Sequence, residues 1–214
     1  MLQIENLTLR RAAQPLFENL ELRIAPGEVL TLMGASGSGK STVLNWMIGA
    51  LDPVFSASGS LWLNGQRVEG LPTELRRIGI LFQDDLLFAN MSVGQNLAFA
   101  LPATIRGAAR HERIAQVLAD VGLAGFAERD PATLSGGQRA RINLMRALLA
   151  QPQALLLDEP FSKLDVLLRE QFRAWVFEHL QRAGIATLLV THDPQDAPAG
   201  GRVLNVSSWQ KSQL

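Results

Sequence analysis

Residues 34–41 read Gly-Ala-Ser-Gly-Ser-Gly-Lys-Ser, and this run restricts the fold more than any other stretch of the chain. It fits the spacing G-x-x-x-x-G-K-S/T, which folds backbone around phosphate groups. Its flanks suit that use: Val29 to Met33 (VLTLM) reads as a buried strand, and Ser41 to Ile48 as a helix. Glycines let successive N–H groups turn inward around phosphate oxygens, and the helix presents its positive end to them. Lys40 is placed to reach the β- and γ-phosphates, and the Ser41 hydroxyl to meet Mg²⁺. Gly34, Ala35, Ser36, Gly37, Ser38, Gly39, Lys40, Ser41 and Thr42 are therefore candidate nucleotide contacts. The competing reading, a flexible Gly/Ser turn, does not explain the strand before it and the helix behind it. The loop alone leaves kinases, GTPases and motor ATPases open.

The rest of the pattern surrounds that loop with an α/β core. Leu20, Leu22 and Ile24 alternate with Glu21 and Arg23, and Leu61 and Leu63 lead into Asn64-Gly65, a hairpin-turn signal with Val68 beyond it. Ile78 to Phe82, Ala154 to Leu157, Ala186 to Thr191 and Val203 to Val206 read as further short strands. Between about Asp84 and Arg146 the period becomes helical, with Ile114, Val117, Leu118 and Val121 on one face. Leu168, Phe172, Trp175, Val176 and Leu180 form another helical stripe. Buried strands separated by helices imply a mainly parallel sheet. The early hairpins imply an antiparallel β flank, and the middle an inserted helical lobe. With 47% apolar residues the 214-residue chain can bury such a core.

Composition removes several alternatives. Twenty basic and twenty acidic side chains balance to zero, so no polyanion-binding surface is expected and no nucleic-acid partner is assigned. The absence of cysteine excludes a disulfide scaffold, a thiolate zinc site and cysteine catalysis. No apolar run approaches the roughly 18 residues that span a bilayer, and the start MLQIENLTLRR has no signal-peptide pattern. The chain is expected to work in the cell interior, or held to a membrane by partners.

Ala154 to Leu157 run straight into Asp158-Glu159. A buried strand ending in Asp beside a phosphate loop places that Asp near the metal, and the adjacent Glu159 is then the candidate general base for an attacking water. An acidic helix cap is the competing reading; the phosphate loop on the same sheet argues against it. Leu134-Ser135-Gly136-Gly137-Gln138 decides the class. Ser-Gly-Gly opening a helix, Gln138 to Ala150, builds a second anion site from backbone N–H groups and a hydroxyl. One chain with one catalytic loop has no evident use for it; a second copy does.

L-S-G-G-Q, followed by Arg139, Arg141 and the strand into Asp158-Glu159, resembles the signature region of ABC (ATP-binding cassette) ATPases, and the resemblance covers nearly the whole chain. It implies a P-loop NTPase (RecA-like) core at 1–83 and 147–214, with a helical lobe at 84–146 carrying the signature. It implies that Gln83 contacts Mg²⁺ and the attacking water, and that the loop after it communicates with a membrane subunit. By the same resemblance Asp165, in Ser162-Lys163-Leu164-Asp165, reaches across a dimer interface, and His192 contacts the γ-phosphate. His111 and His179 match no motif and are taken as ordinary helix residues.

Two positions depart from the family. Arg11 stands 23 residues before Gly34, where importer-type members carry an aromatic that stacks on adenine; the stretch Leu7 to Leu16 has no aromatic. A planar guanidinium can stack on a base. Lys163 stands where the family usually has Ala.

The stretch 83–102 is similar to bacterial importer ATPases, and only 22 residues follow His192, so the regulatory C-terminal domain of maltose-type members is not expected. The resemblance thus implies a homodimeric ATPase using ATP and Mg²⁺, peripheral at the cytoplasmic face of a bacterial inner membrane. It would serve an integral membrane permease and a periplasmic substrate-binding protein. Export, lipoprotein release and a division-complex role share the motifs. ABC ATPases that act on DNA or ribosomes generally carry a coiled-coil insert or paired cassettes, and neither is seen here.

Overall fold

A computed structural model describes residues 1–12, 14–84 and 86–209; position 85, within the importer-like stretch, lies outside them. The chain forms two compact units, Met1–Ile80 with Gln153–Glu159 and Ala174–Leu214, and Leu81–Pro152 with Pro160–Arg173.

The first unit holds two sheets. β1 (Leu2–Arg11), β2 (Gln14–Ile24), β4 (Phe55–Leu63) and β5 (Gln66–Arg67) form an antiparallel sheet in the order β2-β1-β4-β5. Leu2 pairs with Ile24 and Leu63, and Ile4 with Leu22 and Leu61, so period-2 alternation puts one leucine-rich face inside. The Asn64-Gly65 hairpin turn forms as its dipeptide predicts, with both residues at positive φ (51° and 80°) and Trp62 opposite Arg67. Where β1 shifts register against β4, Gly59 lies with its Cα side so close to Leu7 that a Cβ would stand 2.7 Å from the Leu7 Cα.

The second sheet runs β6 (Ile78–Leu81), β7 (Ala154–Asp158), β8 (Ala186–Thr191), β3 (Val29–Met33), β9 (Val203–Asn205). The β7–β8, β8–β3 and β3–β9 ladders are parallel, and every residue of β7 and β8 is buried, which explains why these strands read as unbroken apolar runs. The strands at the sheet's edges stop early: Phe82 and Val206, both read as strand from sequence, lie outside it. Val206 instead turns into a short 3₁₀ segment whose methyl would lie 2.2 Å from a Cβ at Gly34.

Helix α1 (Lys40–Ile48) is the next element after β3, across the loop 34–39. The second unit carries α2 (Val93–Ala100), α3 (Gly107–Asp120), α4 (Gly136–Leu149) and the first turns of α5 (Val166–Arg182). The α3 stripe of Ile114, Val117 and Leu118 is buried as its spacing predicts, while Leu168 and Trp175 on α5 remain partly exposed. Among the described residues no helix is long and apolar enough to cross a membrane.

Candidate active site at the carboxyl edge of the parallel sheet

Register explains why the chemistry gathers where it does. Met33 pairs with Thr191, and Val190 with Asp158, so three neighbouring strands end within one residue of the same level. The next residues along the chain, Gly34, His192 and Glu159, therefore leave the sheet along one edge, the usual ligand edge of an open parallel sheet.

From β3 the chain enters the phosphate loop. Gly37 and Gly39 take positive φ (76° and 90°), which only glycine adopts freely. At Gly39 the space is also filled: a Cβ would stand 2.8 Å from Cε2 of Phe17, a fully buried ring. Lys40 opens α1, and its ammonium donates to the carbonyls of Gly34 and Ala35, each at 2.8 Å, and to Ser38 Oγ at 3.4 Å. Burial pushes the Lys40 pKa down, opposed by the nearby carboxylates of Glu159 and Asp158.

The Ser41 hydroxyl donates to Asp158, the last residue of β7. Burial raises the Asp158 pKa, and the Ser41 bond and the Lys40 charge pull the other way. This pair of hard oxygens suits a hard cation that completes its shell with water and phosphate. No cluster of three or more His, Cys, Asp or Glu side chains able to hold a metal by itself occurs among the described residues.

Glu159 follows at φ 50°, in the left-handed region, strained for a residue with a side chain. Its amide donates to the Val190 carbonyl at 2.9 Å. Glu159 Oε1 lies 2.6 Å from Nδ1 of His192, and Thr191 Oγ1 stands 3.5 Å from Oε2. The Glu159 hydrogen bond is the main reason that the His192 pKa is raised. Lys40, Ser41, Asp158, Glu159 and His192, separated widely in sequence, are thus brought together, with the Glu159–His192 contact made directly.

The remaining candidates belong to other places. Arg11 ends β1, exposed. Gln83, exposed, follows β6 in the second unit. There, Ser135 caps α4: its hydroxyl accepts from the Gln138 amide at 3.2 Å, while Gln138 Oε1 accepts from the Ser135 amide at 2.9 Å. The helix consequently starts at Gly136, two residues before the sequence-based start, and ends at Leu149. Gly137 packs closely on the Lys163–Leu164 backbone, where a Cβ would stand 3.3 Å from the Lys163 carbonyl. Gly136 faces open space. Asp165 has a structural task of its own, accepting from the Leu168 amide at 3.0 Å at the start of α5. His111 hydrogen-bonds back to its own helix at the Gly107 carbonyl, 3.0 Å away, and His179 stacks on Trp175.

Sequence reasoning missed Thr191, Asp196 and Phe17. A single hydroxyl, acid or ring carries no motif, and their contacts depend on packing. The cap of α4 had a signal, the S-x-x-Q spacing of a capping box, which recurs at Ser92 and Gln95 ahead of α2.

Comparison with known proteins gives one family. A family model described as ABC transporter matches residues 17–162. The chain is 55% identical over 212 residues to a protein of Escherichia coli (strain K12) named Uncharacterized ABC transporter ATP-binding protein YnjD, covering 99% of this chain and 98% of that one. It is 42% identical over 180 residues to the Sulfate/thiosulfate import ATP-binding protein CysA of Gloeobacter violaceus (strain ATCC 29082 / PCC 7421), 84% of this chain and 52% of the relative. Two solved structures of the cassette MJ0796 share the fold. The dimeric post-hydrolysis state bound to ADP and Pi matches with a TM-score of 0.81 at 31% identity, over 96% of this chain and 94% of that one. A second dimeric structure, described as a bacterial ABC transporter cassette, gives 0.82 at 30% identity with the same coverage.

Proposed function

The chain belongs to the ABC transporter family as an ATP-hydrolysing subunit, and we propose that it acts as a head-to-tail homodimer driving substrate import through a separate membrane permease. The observation that carries this reading is the carboxyl-edge constellation, where Lys40, the Ser41–Asp158 pair and the Glu159–His192 pair converge.

The chemistry follows from these groups. The loop from Gly34 to Thr42 seats the phosphates of ATP, and Lys40 exchanges its Gly34 and Ala35 carbonyls for phosphate oxygens. Ser41, Asp158 and Gln83 would hold Mg²⁺, which when bound neutralises charge on the β- and γ-phosphates. Glu159 takes a proton from water as the water oxygen bonds to the γ-phosphorus; the bond to ADP breaks, and the proton leaves with phosphate or solvent. His192 holds Glu159 through Oε1 and faces the γ-phosphate. Ser135, Gly136, Gly137 and Gln138 of a second copy close over the same phosphate, with Asp165 at the interface and Arg11 stacked on adenine. The Ser135 hydroxyl uses its oxygen in the cap of α4, so its hydrogen is left to donate.

The helical lobe, taken as 84–146, is the proposed permease-facing part. Leu86, Phe88 and Phe99 are exposed at 52%, 38% and 67%, an apolar group that water does not favour. Arg146 holds it in place, donating to the Leu86 carbonyl at 2.6 Å with its guanidinium over the Phe88 ring. Import is supported by the likeness to the sulfate/thiosulfate import protein and by the stretch 83–102. A periplasmic binding protein then completes the system, with the ATPase peripheral on the cytoplasmic face of the inner membrane.

Glu159→Gln tests the central role. ATP binding is expected to persist while hydrolysis falls by about 10²–10⁴-fold, the usual loss on removing a general base, with accumulation of ATP-bound dimer. Turnover near the wild-type rate would remove Glu159 from the role.

A further inference from the structure

Asp196 is a fully buried carboxylate, 0% exposed, that neither binds nucleotide nor reaches Glu159 in the mechanism above. It lies in the short 3₁₀ turn Pro194–Asp196 just beyond β8, and its Oδ2 accepts from Thr191 Oγ1 at 2.9 Å. Thr191, also 0% exposed, is the residue immediately before His192.

The contacts around that hydroxyl form a closed clasp. Thr191 Oγ1 accepts from the Asp193 amide at 3.1 Å, and the Asp196 amide donates to the Asp193 carbonyl at 3.1 Å. The Asp193 side chain in turn accepts from the Gln195 amide at 2.9 Å. His192 therefore sits in a loop pinned on both flanks, with Asp196 as the outermost anchor. A threonine hydroxyl has one hydrogen. Both Asp196 Oδ2 (2.9 Å) and Glu159 Oε2 (3.5 Å) lie within its reach, and the contact to Asp196 is the shorter. Removing Asp196 takes away the shorter of these contacts and loosens the loop that sets the 2.6 Å His192–Glu159 contact.

We propose that Asp196 is a positioning residue for ATP hydrolysis, acting through the Thr191 hydroxyl to hold the His192 loop and, with it, the contact that His192 makes to Glu159. The proposal rests on Glu159 as base and His192 as its partner.

Hydrolysis and nucleotide binding by the purified full chain separate this role from mere structural support. Asp196→Ala is expected to lower kcat by about 10- to 100-fold, the scale of a small misplacement at a reacting centre. KM for ATP and the number of binding sites titrated with a fluorescent ATP analogue should stay within about twofold of wild type. Asp196→Asn keeps an oxygen that accepts from Thr191 and should recover most of the rate. Thr191→Val should lower kcat as well, and adding Asp196→Ala to it should cost nothing further, because both changes break one link. Should Asp196→Ala fold poorly, Asp196→Asn compared in the wild-type and Thr191→Val backgrounds reads the same coupling. The proposal is overturned by an unchanged kcat in Asp196→Ala, by a loss matched by lost binding sites, or by additive effects of the two substitutions. A Glu159→Gln variant that still turns over would instead fail the underlying reading, so the two failures are distinguishable.

Discussion

At the scale of single residues, burial works against the Asp158 carboxylate, and the Ser41 hydroxyl and the Lys40 charge offset only part of that. Its folded pKa lies above the unfolded one, so its contribution to stability is fully present below the unfolded pKa and is lost as pH rises through the folded pKa. Asp158→Asn keeps an acceptor for Ser41 and removes the charge. Without metal or nucleotide at pH 7 it is expected to raise Tm, while lowering hydrolysis by about 10- to 100-fold through loss of an outer metal partner. An unchanged or lower Tm would contradict the burial argument.

His192 works with the same sign from the opposite charge type. Glu159 raises its pKa, so the protonated pair stabilises the fold fully below the ordinary imidazole pKa of about 6.5, and that contribution fades as pH rises through the elevated value. With 61% of the His192 side chain exposed, salt weakens the effect. Thermal unfolding of wild type and His192→Gln at low ionic strength is expected to show wild type losing its relative advantage above pH 6.5; parallel curves would contradict it. Lys40, Ser41, Asp158 and Glu159 were legible from their motifs. The positive φ of Glu159 and the Thr191–Asp196 link were not, because both follow from where β7 and β8 end beside each other.

Among the elements, α1 depends on a side chain distant in sequence. The last carbonyls of a helix lack the usual partner four residues on; here the Gly49 amide reaches Trp46 at 3.1 Å and the Ala50 amide reaches Asn45 at 2.8 Å, and Arg76 adds donors from outside the helix. Arg76 Nη1 donates to Trp46 and Met47 at 2.9 and 3.0 Å, Nε to Leu71 at 2.8 Å, and Nη2 to Glu69. The guanidinium fills the space beside Gly49, at φ 80°, where a Cβ would approach it to 2.7 Å. A cation there also meets the negative end of the helix that carries the phosphate loop. Arg76→Met, which keeps length but no donors, is expected to lose about 1–3 kcal/mol in urea unfolding, because it removes the Arg76 donor from the buried Met47 carbonyl while Trp46 keeps the Gly49 amide. A change within about 0.5 kcal/mol would show that the Met47 carbonyl does not depend on Arg76. The order of strands and helices was readable because buried parallel strands are apolar throughout and helices keep their period. Element ends were less so: α4 begins early because Ser135 and Gln138 cap each other, and β9 ends early because Val206 turns in against Gly34.

For the whole molecule, one copy carries the catalytic edge and a signature loop whose Ser135 hydrogen serves no bond in the α4 cap, which is why a second copy is invoked. In the proposed head-to-tail arrangement each ATP would lie between Lys40 of one chain and Ser135 of the other. Lys40→Ala removes the cation that faces ATP phosphates, and Ser135→Arg obstructs the closing surface, so each homodimer is expected to be inactive. A mixed dimer places both defects in one composite site and leaves the other intact. Single-turnover ATP hydrolysis across mixtures of the two variants is therefore expected to recover, with a maximum near equal proportions. No recovery at any ratio, with heterodimers shown to form, would mean that Ser135 serves the ATP of its own chain and would contradict the shared-site mechanism.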